Sequence, residues 1–128
     1  MSLQSRLSIG VDILDKAVKM FDDNDIVVST VLAGAAQQLF RDICLSKELK
    51  PAIQKLSENE GKTAKSLHDL ITETYNKLKH ADWEQGDVEV TVNDVKVLLV
   101  LAATDLLKLN PESDERIKRI KSGVKRIN

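Results

Sequence analysis

Between Ser5 and Ile127 the aliphatic residues return at steps of three and four, and that rhythm restricts the chain to helices more tightly than anything else in it. Leu7, Val11, Leu14, Val18 and Phe21 open the pattern, and Ile117, Ile120, Val124 and Ile127 close it. Only five glycines and two prolines interrupt 128 residues, so there are few places for a helix to break. Aromatic residues make up 3%, so a core has to be assembled from Leu, Ile, Val and Ala. At 42% apolar content a chain of this length can bury such a core as one domain over residues 1–128. The expected fold is all-α, an up-and-down bundle of four to five main helices.

The periodicity predicts long helices over residues 5–21, 26–45, 63–82, 93–109 and 112–126. The run Asp22-Asp23-Asn24-Asp25 should stop the first helix and cap the second. The second helix is apolar on a wide face through Val28, Val31, Leu32, Ala35, Leu39 and Ile43, with Gln37, Gln38, Arg41 and Asp42 as its wet side. Its small residues Thr30, Ala33, Gly34 and Ala36 would let another helix approach closely. Residues 46–62 are polar, with Pro51 suited to the start and Gly61 to the end of one short helix. Residues 88–92 alternate apolar and β-branched with polar residues and read as an extended piece. Thr91 or Asn93 then caps the next helix, which points Val95, Leu98, Leu99, Ala102, Leu106 and Leu109 inward. The long helices over 26–45 and 93–109 are apolar around much of their circumference. Either both are central, or a homodimer interface covers the excess, and a homodimer is the expectation.

Charge excludes little, since 19 basic and 20 acidic residues leave a net −1. The last helix is locally basic through Arg116, Lys118, Arg119, Lys121, Lys125 and Arg126. Such a run either contacts phosphate or forms a solvated face whose cations complement the helix C-terminus. A lone Cys44 cannot form an intramolecular disulfide and reads as a core thiol. No apolar stretch is long enough to span a membrane, and Asp12, Asp15 and Lys16 break the first one, so neither a membrane anchor nor a signal peptide is expected. The expected location is cytoplasmic. Neither a cofactor nor a metal is expected. His68 and His80 stand twelve residues apart, roughly 18 Å along one helix, too far to share an ion.

The residues with chemistry cluster around the end of the long helix over 63–82, Tyr75-Asn76-Lys77-Leu78-Lys79-His80-Ala81-Asp82-Trp83. On a continuous helix Asn76 and His80 share a face nearly opposite Leu78. His80 would lie near the negative dipole end of that helix, which favours imidazolium. Together with Val31-Leu32-Ala33-Gly34-Ala35-Ala36-Gln37-Gln38-Leu39, the step Asn76-Lys77-Leu78-Lys79-His80 resembles the HEPN superfamily of small helical bundles. It resembles most a bacterial subgroup with Ala-Gly-Ala-Ala in its second helix and a Lys-His step ending a later one. The resemblance covers residues 7–109. Catalytic members of that superfamily are metal-independent endoribonucleases in which an arginine, a polar residue and a histidine from two subunits meet at a dimer cleft. Carried over, Asn76 and His80 occupy the polar and histidine positions, as the catalytic pair if there is one. Tyr75 stands where the arginine belongs. A neutral hydroxyl replaces a cationic fork there, so the transition-state phosphorane loses its direct charge partner.

The resemblance therefore implies a dimeric binding or regulatory module for RNA or nucleotides, without efficient nuclease activity. Tyr75, Lys79 and Trp83 would serve as its ligand-binding residues, the indole as a stacking face. One alternative is an active endoribonuclease toxin with a nucleotidyltransferase-like antitoxin as partner. The other is a histidine phosphotransfer bundle, although neither His68 nor His80 is followed by the lysine and glycine-containing step usual there.

Overall fold

The computed structural model describes residues 4–80 and 86–127. Among them the chain forms seven helices and no strand: α1 (Arg6–Asp22), α2 (Ile26–Ser46), α3 (Ala52–Glu60), α4 (Ala64–Ile71), α5 (Glu73–Lys79), α6 (Val92–Lys108) and α7 (Glu115–Ile127). The junctions follow the local chemistry. Asp25 caps α2 by accepting from the Val28 N–H at 3.2 Å, while Asn24 takes a left-handed φ of 64° to turn the chain. Pro51 and Gly61 bracket α3, and Gly61 ends it at φ 69°, where a side chain would be strained. Thr91 caps α6 and pairs with Asp94 in a capping box, which decides between Thr91 and Asn93. Residues 87–91 are non-helical and pair with no strand. The last helix starts at Glu115 rather than 112, because Asp114 is its cap and accepts from the Ile117 N–H at 3.1 Å.

Helix α2 is the hub, packed most extensively against α1 and α6 and also touched by α5. It runs antiparallel to α1: Gly10 meets Phe40, and the Ser29 hydroxyl donates to the Ala17 carbonyl at 2.8 Å. Its buried stripe is Ser29, Thr30, Ala33, Gly34, Ala36, Gln37, Phe40 and Cys44. The expected close approach at the small residues is therefore present. The expected inward valines are not: Val28 and Val31 are exposed, and Gln37, expected wet, is fully buried. Both stripes repeat every three to four residues. The bundle turned the small one inward because three helices have to approach α2 at once. The principal core gathers Leu14, Val18, Phe40, Tyr75, Leu98, Leu99, Leu106, Ile117 and Ile120, and a smaller cluster of Ile53, Leu67 and Leu101 lies under α3 and α4.

The helix expected over 63–82 is broken at Thr72, whose φ of −92° and ψ of 6° separate α4 from α5. The Thr72 hydroxyl, fully buried, donates to the His68 carbonyl at 2.7 Å. The same bond from Thr30 to the Ile26 carbonyl and from Thr104 to the Val100 carbonyl leaves α2 and α6 unbroken, so the hydroxyl by itself does not account for the break.

Helices α1 and α7 lie side by side and parallel, in register at a constant offset of 104 residues. Arg116 pairs with Asp12 at 2.9 Å, Arg119 grips Asp15 through two bonds of 2.9 and 2.8 Å, and Arg126 reaches Asp22 at 2.7 Å. The arginines of the basic stretch are thus matched to acids within the fold. No described helix is long and apolar enough to cross a membrane.

Candidate functional site

Tyr75 is buried, and its ring lies directly on Gly34 of α2. A Cβ at Gly34 would stand 2.8 Å from Cε1 of that ring and closer still to Cγ and Cδ1. The Ala-Gly-Ala-Ala step and Tyr75 are therefore the two halves of one packing contact. Lys79 follows four residues later and holds its ammonium 5.5 Å from the centre of the same ring, within cation–π reach. The Asn76 Nδ2 donates to the Thr72 hydroxyl at 3.2 Å, which fixes its amide at the helix break.

His80 sits outside the helix that was expected to present it. Helix α5 ends at Lys79, and His80 closes it at φ −117° and ψ 68°, its N–H donating to the Asn76 carbonyl at 2.8 Å. Asn76 and His80 are joined through that backbone bond. Trp83 lies outside the described residues.

Asn76 instead opens on a groove of about 550 Å³ between α2, the start of α3, and α4. Arg41 and Gln38 enter it from α2, Lys65, His68 and Asp69 from α4, and Gln54 from α3. His68 is 8% exposed, and its Nε2 lies 3.2 Å from the Oε1 of buried Gln37. Burial, reinforced by the Arg41 charge, pushes the His68 imidazole below its ordinary pKa and favours the neutral ring. The Gln37 Nε2 has no hydrogen-bond partner among the described residues. Arg41 is partly occupied by its neighbour, donating through Nε and Nη2 to Asp42 Oδ1 at 3.3 and 3.1 Å.

Chemically, the groove offers a guanidinium, an ammonium and three side-chain amides against one carboxylate, Asp69. That set suits an anion carrying hydrogen-bonding edges. A ring as covered as His68 is poorly placed to be a phosphoryl acceptor. Sequence reasoning missed Arg41 and His68. Gln38 and Arg41 are three apart, and Lys65, His68, Asp69 and Asn76 follow at helical spacing, so each element carried a readable polar stripe. That the two stripes face each other depends on the antiparallel packing of α2 against α4 and α5, which no local pattern encodes.

Cys44 is the expected core thiol, fully buried with Sγ 3.8 Å from the Asp105 carbonyl, and burial pushes its pKa up. Asp105 is an unexpected buried acid. Its Oδ1 accepts from the Ala52 N–H at 2.7 Å and so anchors the start of α3 on α6. Among the described residues no three of His, Cys, Asp and Glu stand together as metal ligands would. No protein-family model matches the chain, and no curated protein or solved structure matches it significantly.

Proposed function

We propose that this protein is a HEPN-like, dimeric up-and-down bundle that binds RNA or nucleotides through the α2/α4 groove and does not cut RNA efficiently. The observation that carries the reading is the meeting of Asn76 with Arg41, Lys65 and His68 in one groove. The guanidinium missing at position 75 is supplied there from α2, on the opposite wall from Asn76. It is a binding group in that position, since Asp42 shares its donors and His80 belongs to the far end of α5. Lys79, held over the Tyr75 ring, would add a cation at the end of α5.

The dimer is supported by Val27, Val28 and Val31, which stand 48%, 40% and 39% exposed along one side of α2. An apolar stripe on the hub helix is the kind of surface a second copy covers.

Fluorescence anisotropy with a labelled nucleoside triphosphate and a labelled single-stranded RNA tests the reading. Hydrogen bonds to a charged group are worth about 1.5–3 kcal/mol, so Arg41→Ala should weaken binding by roughly tenfold or more. Asn76→Ala should weaken it less. Absence of binding, or binding indifferent to Arg41, would sink the proposal. Metal-independent RNA cleavage that disappears in His80→Ala would establish the nuclease instead.

A further inference from the structure

A second groove lies between α3 and α6, is also lined by Ile127 of α7, and has a volume of about 500 Å³. The two helices run antiparallel there: Ala52 is tied to Asp105, and the Lys108 ammonium donates to the Lys50 carbonyl at 2.8 Å. Each contributes a stripe at helical spacing, Ala52, Lys55, Leu56 and Asn59 from α3, and Val97, Val100, Leu101 and Thr104 from α6. Two parallel ridges with an apolar trough between them are the seat a third helix takes. Val97 remains 39% exposed in that trough.

Charge selects the occupant. Lys55, Lys96 and Lys108 edge the trough, and no carboxylate lines it among the described residues. Across the exposed ridge of α6, where Leu107 is 50% exposed, a smaller hollow against α7 is again edged by lysines, Lys121 and Lys125. A second copy docked on this face about a twofold axis would set one lysine-edged surface against another. An acidic partner meets the opposite sign.

We propose that the α3/α6 groove is a docking site for an acidic amphipathic helix of a partner protein, its apolar face in the trough and its carboxylates on the lysine edges. The span from Val97 to Lys108 is about 16 Å, so the docked segment is three to four turns long. This site is independent of the α2/α4 groove and shares no residue with it.

The test uses the full chain and two designed 14-residue peptides with Leu at i, i+3, i+4 and i+7, one flanked by Glu and one by Lys. Anisotropy should show saturable micromolar binding of the acidic peptide alone, weakening as salt rises. Val97→Glu, a surface change whose fold is checked by circular dichroism, should weaken it by about tenfold or more, as central apolar contacts do. Lys55→Glu with Lys96→Glu should weaken it similarly and admit the basic peptide. No binding of the acidic peptide, equal binding of both peptides, or indifference to Val97→Glu would overturn the proposal. So would a dimer that Val97→Glu dissociates, since the groove would then hold a second copy.

Discussion

Gly34 and Tyr75 show how much one side chain can decide. The tyrosine ring fills the space a Cβ at position 34 would need. Gly34→Ala should lower stability by about 1–3 kcal/mol through overpacking, despite the better helix propensity of alanine. Denaturant unfolding measures it, and the same glycine change in a Tyr75→Ala background should cost markedly less. The contact also changes the meaning of Tyr75→Arg. Restoring the motif arginine would drive a cation into the core beside α2, so loss of folded protein is expected before any gain of cleavage. Asp105 offers a second test. Its carboxyl is held above the usual range by burial, so the folded state binds the proton more tightly than the unfolded chain. Stability contributed at this site therefore falls as pH rises from the ordinary carboxylate value through the raised one. Asp105→Asn keeps an oxygen for the Ala52 N–H and should raise the melting temperature at pH 8, with the gain shrinking toward pH 4. Asp105→Ala should instead cost about 1–3 kcal/mol, because the Ala52 N–H loses its partner.

At the scale of elements, α7 is held by register as well as by apolar area. Asp12, Asp15 and Asp22 meet Arg116, Arg119 and Arg126 in sequence, and Gly123 lets α7 approach until Val18 occupies the place of its missing Cβ. Arg116 holds the carboxyls of Asp12 and Asp114 below the usual range. Their contribution to stability is thus present above the ordinary carboxylate pKa and is lost as pH falls through the lowered values. Exposed pairs contribute little each, so Arg119→Ala should cost little and Gly123→Ala should cost more. Thermal melts at low and high salt separate the two, since only the arginine variant should lose its effect as salt rises. The break at Thr72 belongs to this scale too. Thr72→Val removes the hydroxyl that accepts from the Asn76 amide. Nucleotide binding should weaken in that variant while the helical circular dichroism signal is retained.

For the whole molecule, assembly is the open quantity. Light scattering at micromolar concentration should give about twice the 14.3 kDa chain mass. Val31→Glu, on the exposed side of α2, should return a monomer without loss of helix, whereas Val97→Glu should leave the dimer intact. A monomeric wild type would remove the dimer and any cleft shared between copies. Helix content and most junctions could be read from the chain alone, because helix periodicity, caps and breakers act within a few residues: Asp25, Pro51, Gly61 and Thr91 sit where their chemistry places them. Gly34 could be recognised as a close-packing position for the same reason. Three features could not be read in this way. Which of two equally periodic stripes of α2 turns inward depended on how many helices crowd it. That the helix beginning near residue 63 breaks at Thr72 was marked by no glycine or proline in the sequence. And the meeting of Arg41 with Asn76 depended on packing between elements more than thirty residues apart, because a binding groove is made where separate helices meet, and their meeting is a property of the tertiary structure alone.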